Sequence, residues 1–267
     1  MRISKGLIAA TVAGLVVGLA PTMPFDGTGS QDAPPRVSPT EALRAGMESL
    51  RGGDKARAVQ SFRYAADSGN ARALWQLGHM YANGDGVPRD DVLAFEEFKK
   101  LVDRNSDVPL SSSAAPYVAD AVVALGHYYN SGIPNSPVEA NPSMALKMYT
   151  HAAAYFGHPD AQYHLGKLLL EGKGVARDPR RAVQWLNLAA NKRHYKAQAL
   201  LGRILFEGEL GRQQRASGLM WLIIANDGPG AKIPWIAESH ERAFNKASEK
   251  ERHEALVLLE RWIENRP

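Results

Sequence analysis

One string of residues returns four times along this chain and decides the class of fold that it can adopt. The string is Ala-x3-Leu-Gly-x5-Gly, and it begins at Ala73, Ala121, Ala161 and Ala197. The first glycines of successive strings lie 48, 40 and 36 residues apart, within the period range of helical solenoids. Solenoids present extended surfaces that suit binding better than catalysis. The repeat therefore predicts a recognition protein.

Each unit is predicted to consist of two packed helices, and the string lies on the second one. A glycine in mid-helix costs about 1 kcal/mol relative to alanine. Because this glycine returns in four units, we expect a packing reason, namely the close approach of a neighbouring helix backbone. The first helix repeats a small residue followed four positions later by a large one, which is predicted to be core: Phe62, Phe98, Tyr149, Leu186 and Leu222.

The most regular unit, residues 145–178, carries the full set of repeat residues: Tyr149, Ala152, Ala153, Gly157, His158, Ala161, Leu165, Gly166, Gly172, Gly174, Val175 and Asp178. With this set the unit resembles the Sel1-like repeats, a branch of the tetratricopeptide-type helix-turn-helix solenoids. The resemblance covers about residues 42–226 and implies an all-α fold, a right-handed α-solenoid with a C-terminal helical cap. Two units depart from the pattern: the second lacks the Gly-x-Gly-Val turn after Gly132, and the fourth ends differently after Gly208.

The N-terminal segment indicates export. A short basic stretch over residues 1–5 precedes an uncharged apolar run from Gly6 to Leu19, which is typical of a secretory signal and shorter than the roughly 20 residues that span a bilayer. We expect a signal peptide over residues 1–20, location in the periplasm and no membrane span after processing. An uncleaved anchor is the alternative, because Pro21 would directly follow the cleavage site. Residues 21–39 predict a disordered linker.

Composition narrows the function classes further. The chain has no cysteine, which excludes disulfides, thiolate catalysis and cysteine-type zinc sites. The net charge of +4 is slight and the basic residues are scattered, which argues against nucleic acid as a partner. Motifs for a nucleophile elbow, a phosphate-binding loop or a dinucleotide site are missing. We predict a protein that is not an enzyme, with no catalytic residues, no metal site and no cofactor.

The histidines recur with the repeat. His79 and His127 follow the Leu-Gly pair, while His158 and His194 precede the second helix. A zinc site needs several convergent ligands, and these spacings do not indicate one. For His158 and His194 one role is entry into the second helix or a solvated turn. The alternative is titration near pH 6, which would make the stack sensitive to acid.

Two regions are candidates for contact with other proteins. The second unit is lengthened by about 12 residues, and insertions in a solenoid emerge as surface loops. We predict a protease-accessible loop there, with tolerated slack as the alternative: Ser111, Ser112, Ser113, Ala114 and Ala115. By analogy with tetratricopeptide stacks, whose first helices line the concave side, the predicted partner-binding residues are Arg63, Glu97, Lys147 and Gln184.

The C-terminal part is predicted to be a cap. The solenoid is expected over residues 40–232 and the cap over residues 233–267, with a helix beginning at Pro234 or just after it. Ser248-x-x-Glu251 is a capping box, and the apolar residues that follow it are spaced for one helix face. Terminal repeats need such a closing element.

The chain combines a signal peptide, the opening Ala42-Leu43-x-x-Gly46, an enlarged second unit and a helical tail with Trp262. This layout resembles the exopolysaccharide-production negative regulators (ExoR) of α-proteobacteria. It implies a periplasmic protein that holds a sensor histidine kinase inactive by binding its periplasmic domain. The resemblance also implies that a periplasmic protease relieves this repression, and that the repression controls exopolysaccharide production and motility. The alternatives are an envelope scaffold or adaptor for assembly or secretion proteins, and an enzyme acting on peptidoglycan.

Overall fold

The computed structural model describes residues 37–211 and 213–265, and every regular element within them is helical. One short 3-10 helix lies at Gly228–Lys232. The α-helices are α1 (Pro39–Arg51), α2 (Lys55–Asp67), α3 (Ala71–Asn83), α4 (Asp91–Arg104), α5 (Ala115–Ser131), α6 (Pro142–Ala154), α7 (Pro159–Glu171), α8 (Pro179–Asn191), α9 (Tyr195–Glu207), α10 (Arg215–Asn226), α11 (Pro234–Lys246) and α12 (Glu249–Glu264).

The predicted signal peptide and most of the predicted linker lie outside the described residues. The described chain begins at Val37, and α1 begins at Pro39, so the last residue assigned to the linker belongs to the first helix. Ser38 caps α1 in a reciprocal capping box with Glu41, which explains why the helix begins there. Within the described part of the chain, no helix combines the length and apolar character that a membrane crossing requires.

First and second helices alternate along the stack. The predicted first helices are α2, α4, α6, α8 and α10, and the string-bearing second helices are α3, α5, α7 and α9. Helix α1 carries the same small residues as a second helix, with Ala42 and Gly46 both buried. It packs on α2 as each second helix packs on the first helix that follows it. Within the described residues, the stack therefore begins with a helix of the second type.

The mid-helix glycine makes room for a large side chain, and the expected backbone contact is wrong at Gly78 and Gly126 but present at Gly166 and Gly202. A Cβ added at Gly78 would lie 2.5 Å from Cε1 of Phe98, and one at Gly126 would lie 2.6 Å from Cε1 of Tyr149. Gly46 and Gly166 receive the next large residue in the same way. At Gly202 the expected close backbone is present, since the added Cβ would lie 2.8 Å from the Gly218 carbonyl oxygen. Each second helix thus accepts the core side chain of the following unit.

Turn glycines close the regular units and contact the start of the first helix of the same unit. Gly172 ends α7 with φ 68, a left-handed conformation that glycine adopts without strain. A Cβ at Gly174 would lie 2.6 Å from the carbonyl oxygen of Pro142, at the start of α6. The second unit departs from this turn as expected: Gly132 has φ 69 and ψ 175, and Ile133 donates to the Val138 carbonyl.

The end of the described chain covers α10. Helix α11 begins at Pro234 and α12 follows the predicted capping box of Ser248 and Glu251. The rings of Trp221 and Trp262 meet edge to face, 5.7 Å apart. Ile236 of α11 is fully buried in the same cluster. These two helices therefore close the last repeat by apolar packing.

Candidate functional site

Two aspartates occupy the same place in consecutive units, six residues before the mid-helix glycine. Asp120 lies on α5 and Asp160 lies on α7. Each contacts the histidine that begins the next second helix: His158 Nε2 lies 2.9 Å from Asp120 Oδ1, and His194 Nε2 lies 3.1 Å from Asp160 Oδ1. We call these four residues the Asp–His ladder. It joins α5 to the start of α7 and α7 to the start of α9.

Asp120 also connects to the unit before it. The indole nitrogen of Trp75, on α3, donates to Asp120 Oδ2 at 3.1 Å. The Trp75 ring lies 5.4 Å from the ring of Tyr117 and 4.6 Å from that of His79. Because one carboxylate takes hydrogen bonds from α3 and from the start of α7, it ties three consecutive second helices together.

Asp160 is the centre of a denser cluster of three histidines. His127 Nε2 of α5 lies 3.1 Å from Asp160 Oδ2, while His194 contacts the other carboxylate oxygen. His164, one turn further along α7, places its Nε2 3.7 Å from Oδ1. Its ring stacks on Tyr149 at 5.1 Å and lies 4.5 Å from the ring of His127. One half-buried carboxylate therefore faces imidazoles from three helix segments.

The hydrogen bonds assign the proton of His194. Its Nδ1 accepts the backbone N–H of Ala197 at 3.1 Å and so caps α9. The neutral ring must then carry its proton on Nε2, which donates it to Asp160. His127 is arranged similarly, because Nδ1 lies 2.7 Å from the Tyr149 hydroxyl. A buried tyrosine thus orients the ring that contacts the carboxylate.

Burial and hydrogen bonding move the protonation equilibria of the cluster in different directions. Burial alone would raise the pKa of the Asp160 carboxyl, but hydrogen bonds from His127 and His194 outweigh it and hold that pKa well below its usual range. Burial lowers the pKa of His164 to about 3, although Asp160 acts in the opposite direction. Burial first, then Asp160, raises the pKa of Tyr163 to about 12. At neutral pH the cluster holds a carboxylate beside a neutral His164.

A groove opens beside the ladder, between the insertion of the second unit and the start of α7. Its volume is about 310 Å³, and Asp120 and His158 contribute its polar groups. The exposed Leu110 stands at its edge, with 60% of its surface accessible. The apolar remainder of its lining comes from Ala115, Pro116, Ala119, Phe156 and Pro159. This shape fits an apolar side chain of another protein.

The insertion is folded back on the stack. Val108 is buried, and its carbonyl accepts the Tyr155 hydroxyl at 3.0 Å. Ser112 N–H donates to the Pro109 carbonyl, forming a turn. These contacts hold Leu110 in one place and make it a defined part of the surface.

The predicted protease-accessible loop is shorter than expected. Ser111 and Ser113 are exposed, whereas Ser112 and Ala114 are half-buried. Ala115 is wrong as a loop residue, because it is the first residue of α5 and only 4% of its surface is accessible. The accessible tip therefore spans residues 109–113.

The structure does not bring the four predicted partner-binding residues to one repeat position. Lys147 and Gln184 both lie two residues before the large core residue of their helices, while Glu97 lies one before it and Arg63 one after it. Arg63 donates to the Tyr81 hydroxyl at 2.8 Å, and Glu97 pairs with Lys100 at 2.8 Å. Successive residues of a helix point about 100° apart, so these side chains form no single stripe. Their partner role stays a prediction.

Sequence reasoning found His127, His158 and His194 but missed the carboxylates that face them. A detectable signal was the return of aspartate six residues before the glycine in units two and three. His164 gave no repeat signal, since its equivalent positions hold Gln76, Ala124 and Leu200. Among the described residues, the ligand atoms of His127, Asp160 and His164 lie within 4.8 Å of one another, a set that could hold a metal ion.

Comparison with known proteins agrees with this architecture. The Sel1 repeat family model matches residues 71–105, 119–154, 159–194 and 196–228, more than half of the chain. The solved structure of a Sel1 repeat protein from Oxalobacter formigenes aligns with a TM-score of 0.62, covering 85% of this chain and 86% of that one at 24% identity. The chain is therefore a Sel1-repeat solenoid, as its sequence predicts.

Two curated relatives give the particular family. Each is named exopolysaccharide production negative regulator, one from Rhizobium leguminosarum bv. viciae at 33% identity and one from Rhizobium meliloti (strain 1021) at 32%. Each alignment spans 221 residues, 82% of this chain and 80% of the relative. This protein belongs to the family of exopolysaccharide production negative regulators, and a regulatory role follows.

Proposed function

We propose that this chain acts in the periplasm as the inhibitory partner of a sensor histidine kinase. It binds the periplasmic domain of the kinase and holds the kinase inactive. The amount of intact regulator therefore controls exopolysaccharide production and motility. The observation that carries the proposal is the similarity to two negative regulators across four fifths of the chain. The repeat supports it, because stacked helix pairs provide binding surface rather than a closed catalytic pocket.

The groove beside Asp120 and His158 is the part of the surface that we assign to the kinase domain. An exposed leucine on an anchored loop loses little conformational freedom on binding, which favours affinity. Leu110 meets this condition, because Tyr155 and the turn at Ser112 hold its loop. The half-exposed carboxylate of Asp120 adds a polar contact at the same place. We therefore expect the kinase domain to present an apolar side chain next to a basic one at this groove.

A co-purification experiment tests this assignment. The purified chain, cross-linked to membrane proteins exposed to the periplasm, should capture a sensor kinase, and Leu110→Asp should abolish capture. Leu188→Asp is the matched control, because Leu188 on α8 is similarly exposed, at 47%, and lies far from the groove in sequence. Both variants should fold normally, since surface substitutions change stability by about 0.5 kcal/mol or less.

The same experiment separates the groove from the first helices. Reversing the charge of Arg63 and Lys147 together should leave capture intact if the groove is the binding site. Loss of capture in that double variant, with Leu110→Asp still binding, would move the site to the first helices. Capture of assembly or secretion proteins in place of a kinase would establish the scaffold alternative.

Release by proteolysis is the second part of the proposal. The exposed tip over residues 109–113 provides small residues outside any helix, which proteases prefer. Mass spectrometry of periplasmic fragments should find the first cut within this tip, and bound kinase should slow it. A first cut elsewhere, unaffected by the kinase, would remove the tip from the mechanism and leave the binding proposal standing.

A further inference from the structure

We propose that His127, His164 and Asp160 bind a divalent transition-metal ion of the zinc class where α5 meets α7. Their three ligand atoms lie within 4.8 Å of one another. Imidazole nitrogen and carboxylate oxygen are ligands that zinc takes at 2.0–2.2 Å. The set leaves a position open for water or for a side chain of another protein.

The helices place the ligands without special loop geometry. Asp160 and His164 are four residues apart on α7, so both side chains lie on one face of that helix. His127 approaches from α5, one unit earlier in the stack, and its Nε2 already lies 3.1 Å from Asp160 Oδ2. Tetrahedral zinc separates its ligand atoms by about 3.4 Å. The three ligand atoms, which lie within 4.8 Å of one another, reach that spacing through small movements of the side chains.

The groups around these ligands match the outer shell of a metal site. His194 donates its Nε2 proton to Asp160 Oδ1, which leaves Oδ2 for the ion. The Tyr149 hydroxyl lies against His127 Nδ1, the nitrogen that carries the proton once Nε2 binds a metal. Outer partners of this kind orient metal ligands and raise affinity by about 10- to 100-fold. His194 cannot itself be a ligand, because its Nδ1 accepts from Ala197 and its Nε2 therefore holds the proton.

The ligands are available to an ion from solution. The side chain of His127 is 43% exposed, which opens a path to the site. His164 is half-buried against Tyr149 and stays neutral at physiological pH because burial lowers its pKa. A neutral imidazole and an ionised carboxylate are the forms that coordinate metals. No proton has to be displaced from His164 for an ion to bind.

Zinc titration of the purified chain tests the site. The chain carries no polyhistidine tag and is treated with a chelator before calorimetry with ZnCl₂. We expect one Zn²⁺ per chain and a higher melting temperature, because an ion that binds only the folded state stabilises it. Co²⁺ in place of Zn²⁺ should give the visible absorption of a four- or five-coordinate ion.

Three variants make the test specific. His127→Gln and His164→Gln should each weaken Zn²⁺ binding at least about tenfold and remove the Co²⁺ absorption. His253→Gln is the matched control, since His253 is an exposed histidine on α12, and it should bind as the natural chain does. The side chain of His127 is 43% exposed and that of His164 is 24% exposed, so His127→Gln should fold even if His164→Gln does not. Absence of binding to the natural chain, or equal affinity in folded His127→Gln, would overturn the proposal.

Discussion

The two middle units and the two outer units of the stack share their core but differ at one polar position. Six residues before the mid-helix glycine, the middle units carry Asp120 and Asp160, whereas the outer units carry Arg72 and Lys196. The core pairing of glycine with a large residue from the next unit is the same throughout, from Gly46 and Phe62 onward. Apolar packing therefore determines the common geometry of the units, and the units differ at this polar position.

This difference locates the specialised surface of the molecule. The aspartates link α3, α5, α7 and α9 through histidines and Trp75, and the groove and the proposed metal site lie on the same helices. A basic residue at that position cannot accept a hydrogen bond from a histidine N–H. The outer units thus lack the aspartate itself, although Trp75 of α3 and His194 at the start of α9 contact the aspartates of the middle units.

Removing the cap should have the largest effect. Truncation after Asp227 deletes α11 and α12 and uncovers Trp221, which contacts Trp262 in the intact chain. An exposed apolar face of this kind promotes aggregation, so light scattering should show an associating or insoluble product. A monomeric truncated chain would contradict the view that the outer units depend on apolar cover.

The shared core can be broken within a middle unit. Gly166→Leu should lower the free energy of unfolding by about 3 kcal/mol, because even a Cβ at this place would lie 2.9 Å from Cγ of Leu186. Denaturant titration measures the change. Gly52→Ala is the control, since its added Cβ makes only ordinary contacts at 3.5 Å or more, and it should change little. Equal midpoints for the two variants would refute the proposed packing role of the glycine.

The middle units should also carry an acid-sensitive contribution to stability from His164. His164 has a folded pKa of about 3, below the value of about 6.5 in an unfolded chain. Its contribution to stability is therefore complete above pH 6.5 and is lost as the pH falls towards 3. The limiting slope is about 1.4 kcal/mol per pH unit. The charged or titratable groups that influence His164 are Asp160, His127, Lys167 and His194.

The contribution of His164 is measured from the free energy of unfolding between pH 6.5 and 4.5, by comparing the chelator-treated natural chain with the His164→Gln variant. His164→Gln should show the shallower decline with falling pH, while His79 and His240, whose pKa values are also lowered by burial, act equally in both chains. Parallel pH profiles would show that His164 is not the group involved. The loss that belongs to Asp160 falls at lower pH, because its carboxylate contribution disappears only below about pH 3.8.

The smallest effect concerns the turn between the two helices of the fourth unit. Arg193 has φ 65 at the place where the third unit has Gly157, also with φ 65. A left-handed conformation costs a non-glycine residue roughly 1 kcal/mol. Arg193→Gly should therefore raise the free energy of unfolding by up to about 1 kcal/mol. A lower melting temperature for this variant would show that Arg193 makes a contact that outweighs its strain.

The fold was predictable because every unit repeats the same small and large residues, whereas the site depends on how units meet. The sequence predicts the helices, the capping box at Ser248 and the irregular second turn. The sequence does not show that the Phe98 ring fills the space beside Gly78, because this contact depends on how neighbouring helices are offset along the stack. His127 and Asp160 are likewise brought together only by stacking. Alignment of the repeats shows that the predicted contact residues Arg63 and Glu97 lie on opposite sides of the large core residue in sequence, one after it and one before it.

Amide hydrogen exchange of the chain with and without its captured kinase domain tests the central claim most directly. The account predicts that the kinase protects the middle units around the groove, at residues 108–120 and 156–160. Protection at the outer units or along α2 and α8, with the groove unchanged, would contradict it.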